Sequence, residues 1–337
     1  MGEREKRWRH RHSIAAVAGL LAAGLLSLCA GRYAVTPGEV FQVLTGRTDP
    51  QQDYLIRQVV LSVRLPRILA ALLCGGALAA AGAGLQAVFA NPLASADTLG
   101  IGSAASFGAV LAILCGASAW QIQLSAFLAG ILSLVCVFAA AGRKQEDSLL
   151  MLVLAGMVIG SFFTALLSFV KYIADPQEQL PSIVYWLMGN LKNCTRNALL
   201  WGAGWMLVGG AGLFLLRWKL DILLLKEGEA QAIGVPVHRI RVMAILCSAA
   251  MTAAVVSMCG QIGWVGLLIP HLCRMLFGAG NRNVIPASMA AGAFFLLAAD
   301  TLARCVTASE IPVSLVTSLI GAPVFLMLLK KTGGLAR

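Results

Sequence analysis

The stretch Ile68-Leu69-Ala70-Ala71-Leu72-Leu73-Cys74-Gly75-Gly76-Ala77-Leu78-Ala79-Ala80-Ala81-Gly82-Ala83-Gly84-Leu85-Gln86-Ala87-Val88-Phe89 contains no charged residue and a single amide. Its length matches the roughly 20 residues that a helix needs to cross the hydrocarbon core of a bilayer. Strict alternation of apolar and polar residues, the mark of a half-buried strand, is absent. Gly76, Ala80 and Gly84 recur at every fourth position, so one helix face is nearly bare backbone on which a neighbour can pack closely. The stretch reads as a spanning helix that touches other helices.

Nine comparable runs lie at 13–31, 99–117, 124–141, 149–170, 198–216, 242–259, 265–277, 285–302 and 313–329. Across all 337 residues the chain is 59% hydrophobic and 12% charged, about half the charge of an ordinary soluble domain. Its mean hydropathy is +0.82. A chain this apolar needs lipid as the solvent for much of its surface, and the fold class is an all-α polytopic membrane protein with about ten transmembrane helices. The run at 265–277 is short for a full span.

Residues 1–12 form a basic N-terminal segment, 13–331 the transmembrane domain and 332–337 a short tail. Leu26-Ser27-Leu28-Cys29 faintly resembles a lipoprotein cleavage box, but Leu28 is too bulky for the position before a cleaved cysteine, so the first run reads as a retained span. With the N-terminus inside, 17 Lys and Arg fall on the inner side and 9 on the outer, together the full 26. The positive-inside rule then places both termini in the cytoplasm of a multi-pass inner-membrane protein. Two loops are long: 32–67 outside and 217–241 inside. In the inner one, Leu223, Leu224 and Leu225 lead into Lys226-Glu227-Gly228-Glu229-Ala230, with Gly234 before Pro236. That pattern reads as short amphipathic helices, which call for a partner.

The chemistry of the chain excludes several functions. Its net charge of +11 is distributed between apolar runs, without the aromatic-laced basic patch of a nucleic-acid binder. Its nine cysteines stand singly, with no C-x-x-C pair. No lysine follows a glycine, so there is no P-loop for ATP. No carboxylate pair on a single helix face, H-E-x-x-H or nucleophile elbow marks an enzyme, and the sequence implies no catalytic, cofactor-binding or metal-binding residues. The spans hold few ionisable groups. Asp300 and Arg304, spaced i,i+4, suit a structural ion pair near a helix end. His271, after Pro270, suits helix packing better than metal ligation. An ion-coupled secondary transporter is the alternative reading; it usually needs mid-span charges to carry the coupling ion.

Gly260-Gln261-Ile262-Gly263-Trp264-Val265-Gly266-Leu267-Leu268-Ile269-Pro270-His271-Leu272-Cys273-Arg274 resembles the signature of the FecCD-type permeases, which import iron-siderophores, haem and cobalamin. Other motifs follow the family's order: Arg64-Leu65-Pro66-Arg67, Gln86, Asn91-Pro92-Leu93-Ala94, Leu99-Gly100-Ile101, Ala155-Gly156, Trp186-Leu187-Met188-Gly189, Glu310-Ile311-Pro312-Val313 and Gly321-Ala322-Pro323. The chain departs from the pattern at Gln261, Trp264, Ser314, Lys226 and Ala96.

The resemblance implies a type II ABC importer permease: a homodimer with the substrate path along its two-fold axis. Two ATP-binding-cassette subunits, which use ATP and Mg, would dock below it, and a periplasmic or lipid-anchored binding protein above. It implies a coupling loop at 221–235 containing Asp221, Lys226, Glu227, Ala230 and Gly234. It further implies that the outer arginines Arg64, Arg67 and Arg304 grip carboxylates on the binding protein, as guanidinium forks do. The helix at 149–170 would line the path through Met157, Ser161 and Phe162. The cargo would be an iron chelate or a corrinoid, with the sequence leaving the choice among siderophore, haem and corrinoid open.

Overall fold

A computed structural model describes residues 17–47, 53–142, 148–192, 194–224, 235–307 and 309–331. Among the described residues every regular element is helical. The helices are α1 (Val17–Cys29), α2 (Pro37–Thr45), α3 (Tyr54–Val88), α4 (Ile101–Leu114), α5 (Ala119–Ala141) and α6 (Ser148–Ile173). They continue as α7 (Gln179–Leu187), α8 (Arg196–Leu216), α9 (Val237–Cys259), α10 (Val265–Phe277), α11 (Asn281–Val306) and α12 (Val313–Lys331). Each of the ten apolar runs falls on a helix. Helices α3, α5, α6, α8, α9 and α11 are long and apolar enough to cross a membrane, whereas α1, α4, α10 and α12 are shorter. At 1.5 Å per residue the 13 residues of α10 extend about 20 Å, well short of a hydrocarbon core of roughly 30 Å.

The long loop expected at 32–67 is instead largely helical. Thr36 caps α2 and shares a reciprocal capping box with Glu39, and α3 starts at Tyr54, with a π-helical stretch over Gln58–Arg64. Arg57 and Arg64 interrupt the apolar pattern there and hide the helix from a hydropathy reading.

Helix α3 is the axis of the bundle, with α11, α9, α10 and α8 packed around it. Its small residues set these contacts. A methyl group on Gly75 would run into the carbonyl of Gly292 on α11, and one on Gly82 into the carbonyl of Gly266 on α10. Two backbones therefore touch where any side chain would hold them apart. Helices α4, α5 and α6 form a second group, joined to the first where α9 packs on α5 and α4.

The chain breaks twice inside the bundle. Between α9 and α10, Gly260 takes φ +72° and Trp264 φ +71°. A side chain at Gly260 would collide with the carbonyl of Trp186, so the turn requires glycine. Trp264 is a bulky residue held in the left-handed region, a strained state kept by its surroundings. Its ring packs on Phe325, 6.2 Å between centroids, and its Cβ lies against Gly321, where a methyl would come within 2.7 Å. The second break is the turn at Ala96–Leu99, which ends at Gly100 with φ +69° before α4.

Candidate functional site

The motifs that are scattered along the chain meet in space. The carbonyl of Gly189 accepts the Val313 N–H at 3.0 Å, and the carbonyl of Cys259 accepts the Asn190 N–H at 2.8 Å. These two bonds tie the segment after α7 to the start of α12 and to the end of α9. Asn91 closes its turn by accepting the Leu93 N–H on Oδ1 at 2.9 Å. Gly156 lies against the backbone of Thr98 and Leu99, so the break before α4 rests on α6.

At one pole of the bundle the three arginines expected on an outer docking surface are buried, at 4% (Arg64), 6% (Arg67) and 5% (Arg304) exposure. Arg67 on α3 donates through Nε to both Asp300 oxygens, at 2.9 and 3.1 Å, and through Nη1 to Glu310 at 2.9 Å. Arg304 pairs with Asp300 at 3.5 Å, its neighbour one turn back on α11. Arg304 also donates through Nη2 to the Ser27 carbonyl at 2.8 Å. Arg64 donates to the carbonyls of Leu28 at 2.5 Å, Cys29 at 3.2 Å and Tyr33 at 2.5 Å. Arg64, Arg67 and Arg304 thus grip oxygens of their own chain and lock α1 and α3 to α11. A guanidinium withdrawn from water must find oxygens within the protein.

At the opposite pole Asp221 Oδ1 accepts the Asn281 N–H at 2.5 Å, satisfying the start of α11. Arg274 on α10 donates to Asn281 Oδ1 at 3.2 Å, to the Ala83 carbonyl at 3.2 Å and to Gln86 Oε1 at 3.4 Å. Gln86 in turn donates to the Leu267 carbonyl at 3.3 Å. The root of the 217–241 loop is thus bonded to α11, and through Asn281 and Arg274 to α10 and α3. Lys226, Glu227, Ala230 and Gly234 lie outside the described residues. Sequence reasoning singled out Asp221 but missed Asn281. The available signal was a polar residue at a helix start seven positions beyond Arg274.

Met157, Ser161 and Phe162 are exposed on α6, which presents Leu150, Leu154, Val158, Phe169 and Tyr172 to the outside as well. His271 packs its ring against Phe325, 5.6 Å between centroids.

Comparison with known proteins places this arrangement. The model of the FecCD transport family matches residues 19–331. The molybdate import system permease protein of Haemophilus influenzae is 41% identical over 93% of each chain. A Helicobacter pylori protein described as a probable iron chelatin transport system permease is 38% identical over 82% of this chain and 83% of its own. A solved structure described as an inward-facing conformation of a metal-chelate type ABC transporter superposes with a TM-score of 0.86, at 40% identity, over 94% of this chain and 98% of that one. With the family model spanning nearly the whole chain, the protein belongs to the FecCD transport family of ABC importer permeases.

Proposed function

We propose that this chain works as a homodimer that moves a metal chelate across the inner membrane, with both termini in the cytoplasm. On this reading two ATPase subunits engage the 217–241 loop, and a binding protein delivers cargo at the Arg67 pole. The observation that carries it is the bonded path from Asp221 through Asn281 and Arg274 to Ala83 and Gln86. A push on the loop then reaches the central helix through hydrogen bonds, several of them charge-assisted. Glu227, Lys226, Ala230 and Gly234 would make the ATPase contact. Met157, Ser161 and Phe162 would face the path, whose few charges suit a bulky cargo that must leave as readily as it enters. A chelate is favoured because one relative is named for iron chelatin and the matched structure for metal chelates, whereas another relative is named for the oxyanion molybdate, which the test therefore includes.

The test is uptake into proteoliposomes that hold this chain, its ATPase and its binding protein. Ferric siderophore, haem, corrinoid and molybdate are offered in turn. One chelate should accumulate only with ATP, and Asp221→Ala or Glu227→Arg should leave ATP hydrolysis running while uptake is lost. Accumulation by this chain without ATPase or nucleotide would sink the proposal.

A further inference from the structure

Helices α3, α8, α9 and α11 leave an apolar groove of about 400 Å³ between them. Its bed is made of small residues, Gly76 and Ala77 on α3 and Gly210 and Ala211 on α8. Larger residues there would narrow it: a methyl on Gly76 would come 3.2 Å from the Met289 carbonyl oxygen, and one on Gly210 3.4 Å from the Met289 methyl. Met251 and Met289, flexible side chains that mould to irregular shapes, form its walls. Along α8 the lining residues Leu207, Gly210, Ala211 and Phe214 keep the i, i+3, i+4, i+7 spacing of one helix face. Leu207 and Phe214 are exposed, so the groove opens on the outside of the bundle, where spanning helices meet lipid.

The same face of α8 ends in positive charge. Arg217, three residues beyond Phe214, holds its guanidinium 3.6 Å from the centre of the Phe214 ring and donates through Nη1 to the Phe214 carbonyl. The exposed Trp218 beside it has the Arg217 guanidinium 5.8 Å from its ring and that of Arg282, on α11, 3.6 Å from it. Arg282 stands two turns before Met289 on α11 and so shares a face with it. The cationic cluster therefore closes the groove on both of its flanking helices. Arg217 has no carboxylate partner among the described residues, and most of its five N–H donors stay open. Asp221, four residues on, turns its carboxylate to the Asn281 N–H.

We infer that this groove holds an acyl chain of one anionic phospholipid, whose phosphate is gripped by Arg217 at the Asp221 pole. The dimensions fit: from Met206 to Arg217 the helix rises about 16 Å, close to half of a hydrocarbon core of roughly 30 Å. A chain lying in the groove thus reaches mid-membrane while its headgroup stays at the guanidinium. The exposed indole of Trp218 marks that end as headgroup depth, where such rings gather. A guanidinium fork matches two phosphate oxygens at once, and basic pockets between spanning helices recognise anionic headgroups in this way. A zwitterionic headgroup brings its own ammonium and loses most of that attraction. Left empty, the groove would deprive Met251, Met289 and the small residues of contact partners. The bound lipid fills the gap between α3, α8 and α11 and takes no part in cargo recognition.

The experiment is native mass spectrometry of the purified, delipidated full chain in detergent. Phosphatidylglycerol and phosphatidylcholine with identical acyl chains are titrated in turn, and bound lipid and subunit number are read together. Phosphatidylglycerol should be retained in preference, and R217Q should lower that preference about fivefold, the share of one basic side chain near a charged headgroup. A211L, at an exposed position in the bed of the groove, should lower the occupancy of both lipids severalfold. Glycerol phosphate, the headgroup chemistry without chains, should leave bound phosphatidylglycerol in place. Equal retention of the two lipids would mean nonspecific filling of the groove and overturn the inference. So would a preference that survives both substitutions, or displacement by glycerol phosphate, which would mark a site for free phosphoesters. Conversion of a dimer to a monomer by A211L with lipid binding unchanged would put a second copy of the chain on the groove, and also overturn it.

Discussion

Helices α3 and α6 are almost equally apolar and both are long enough to span a bilayer, yet 78% of the most apolar window of α3 is buried and only 17% of that of α6. The difference lies in side-chain size. Through its middle α3 carries alanine and glycine at nearly every position, with Gly75 and Gly82 in backbone contact with α11 and α10. Along α6 run Leu150, Met151, Leu154, Met157, Val158 and Phe162, each more than 40% exposed. In lipid, apolarity does not drive helices together, since the tails are as apolar as leucine; close approach of backbones and polar bonds do. A run of small residues therefore marks the helix the others pack on. A run of large ones marks a surface for lipid or a second subunit.

The largest expected effect breaks the polar end of α3. Asp300→Asn removes the charge that compensates both Arg67 and Arg304, and leaves two buried guanidiniums leaning on Glu310 and carbonyls. Loss of one partner from a buried ion-paired set costs about 3–5 kcal/mol. The variant should show a sharply lowered unfolding midpoint in detergent; an unchanged midpoint would mean that the cluster does not hold α1, α3 and α11 together.

The second effect tests the small-residue surface. Gly82→Val pushes a branched side chain into the carbonyl of Gly266. Overpacking of this kind costs about 1–3 kcal/mol, and the upper end applies because a backbone cannot step aside as a side chain can. Val158→Ala on α6, at a position 67% exposed, should stay within about 0.5 kcal/mol. Equal losses in the two variants would erase the distinction between the helices.

These contrasts also separate what the sequence reveals from what it hides. The ten apolar runs identify ten helices because hydropathy is a local property. The start of α3 escapes because Arg57 and Arg64 fall within its first turns, and their apolar neighbours Leu55, Ile56, Val59 and Val60 are too few to register as a span. The ion pair of Arg67 is hidden because Asp300 lies 233 residues away from it in the chain. Nothing local announces that the two meet. Asp221 was legible as part of a loop with a partner, but its bond to Asn281 depends on a turn formed 60 residues later. The groove that ends at Arg217 needs distant helices brought side by side, which no single segment encodes.

The smallest effect on stability sharpens the comparison most, because it asks what covers α6. Thr164 and Ser168 direct their hydroxyls to carbonyls of their own helix, at Gly160 (2.8 Å) and Thr164 (2.9 Å). Such back-bonded hydroxyls tolerate lipid or water alike. Ser161 is exposed and has no such bond among the described residues, and an unmet hydroxyl is costly in hydrocarbon. That favours water or a second subunit over lipid on the face that also carries Met157 and Phe162. In a background where the exposed Cys115 and Cys305 and the partly exposed Cys29, Cys136, Cys194 and Cys247 are replaced by serine, S161C should leave stability within about 0.5 kcal/mol and react with a membrane-impermeant maleimide. Buried thiols react slowly enough to leave that signal clear. Reaction with lipid-soluble maleimide alone would put hydrocarbon against this face and remove α6 from the path.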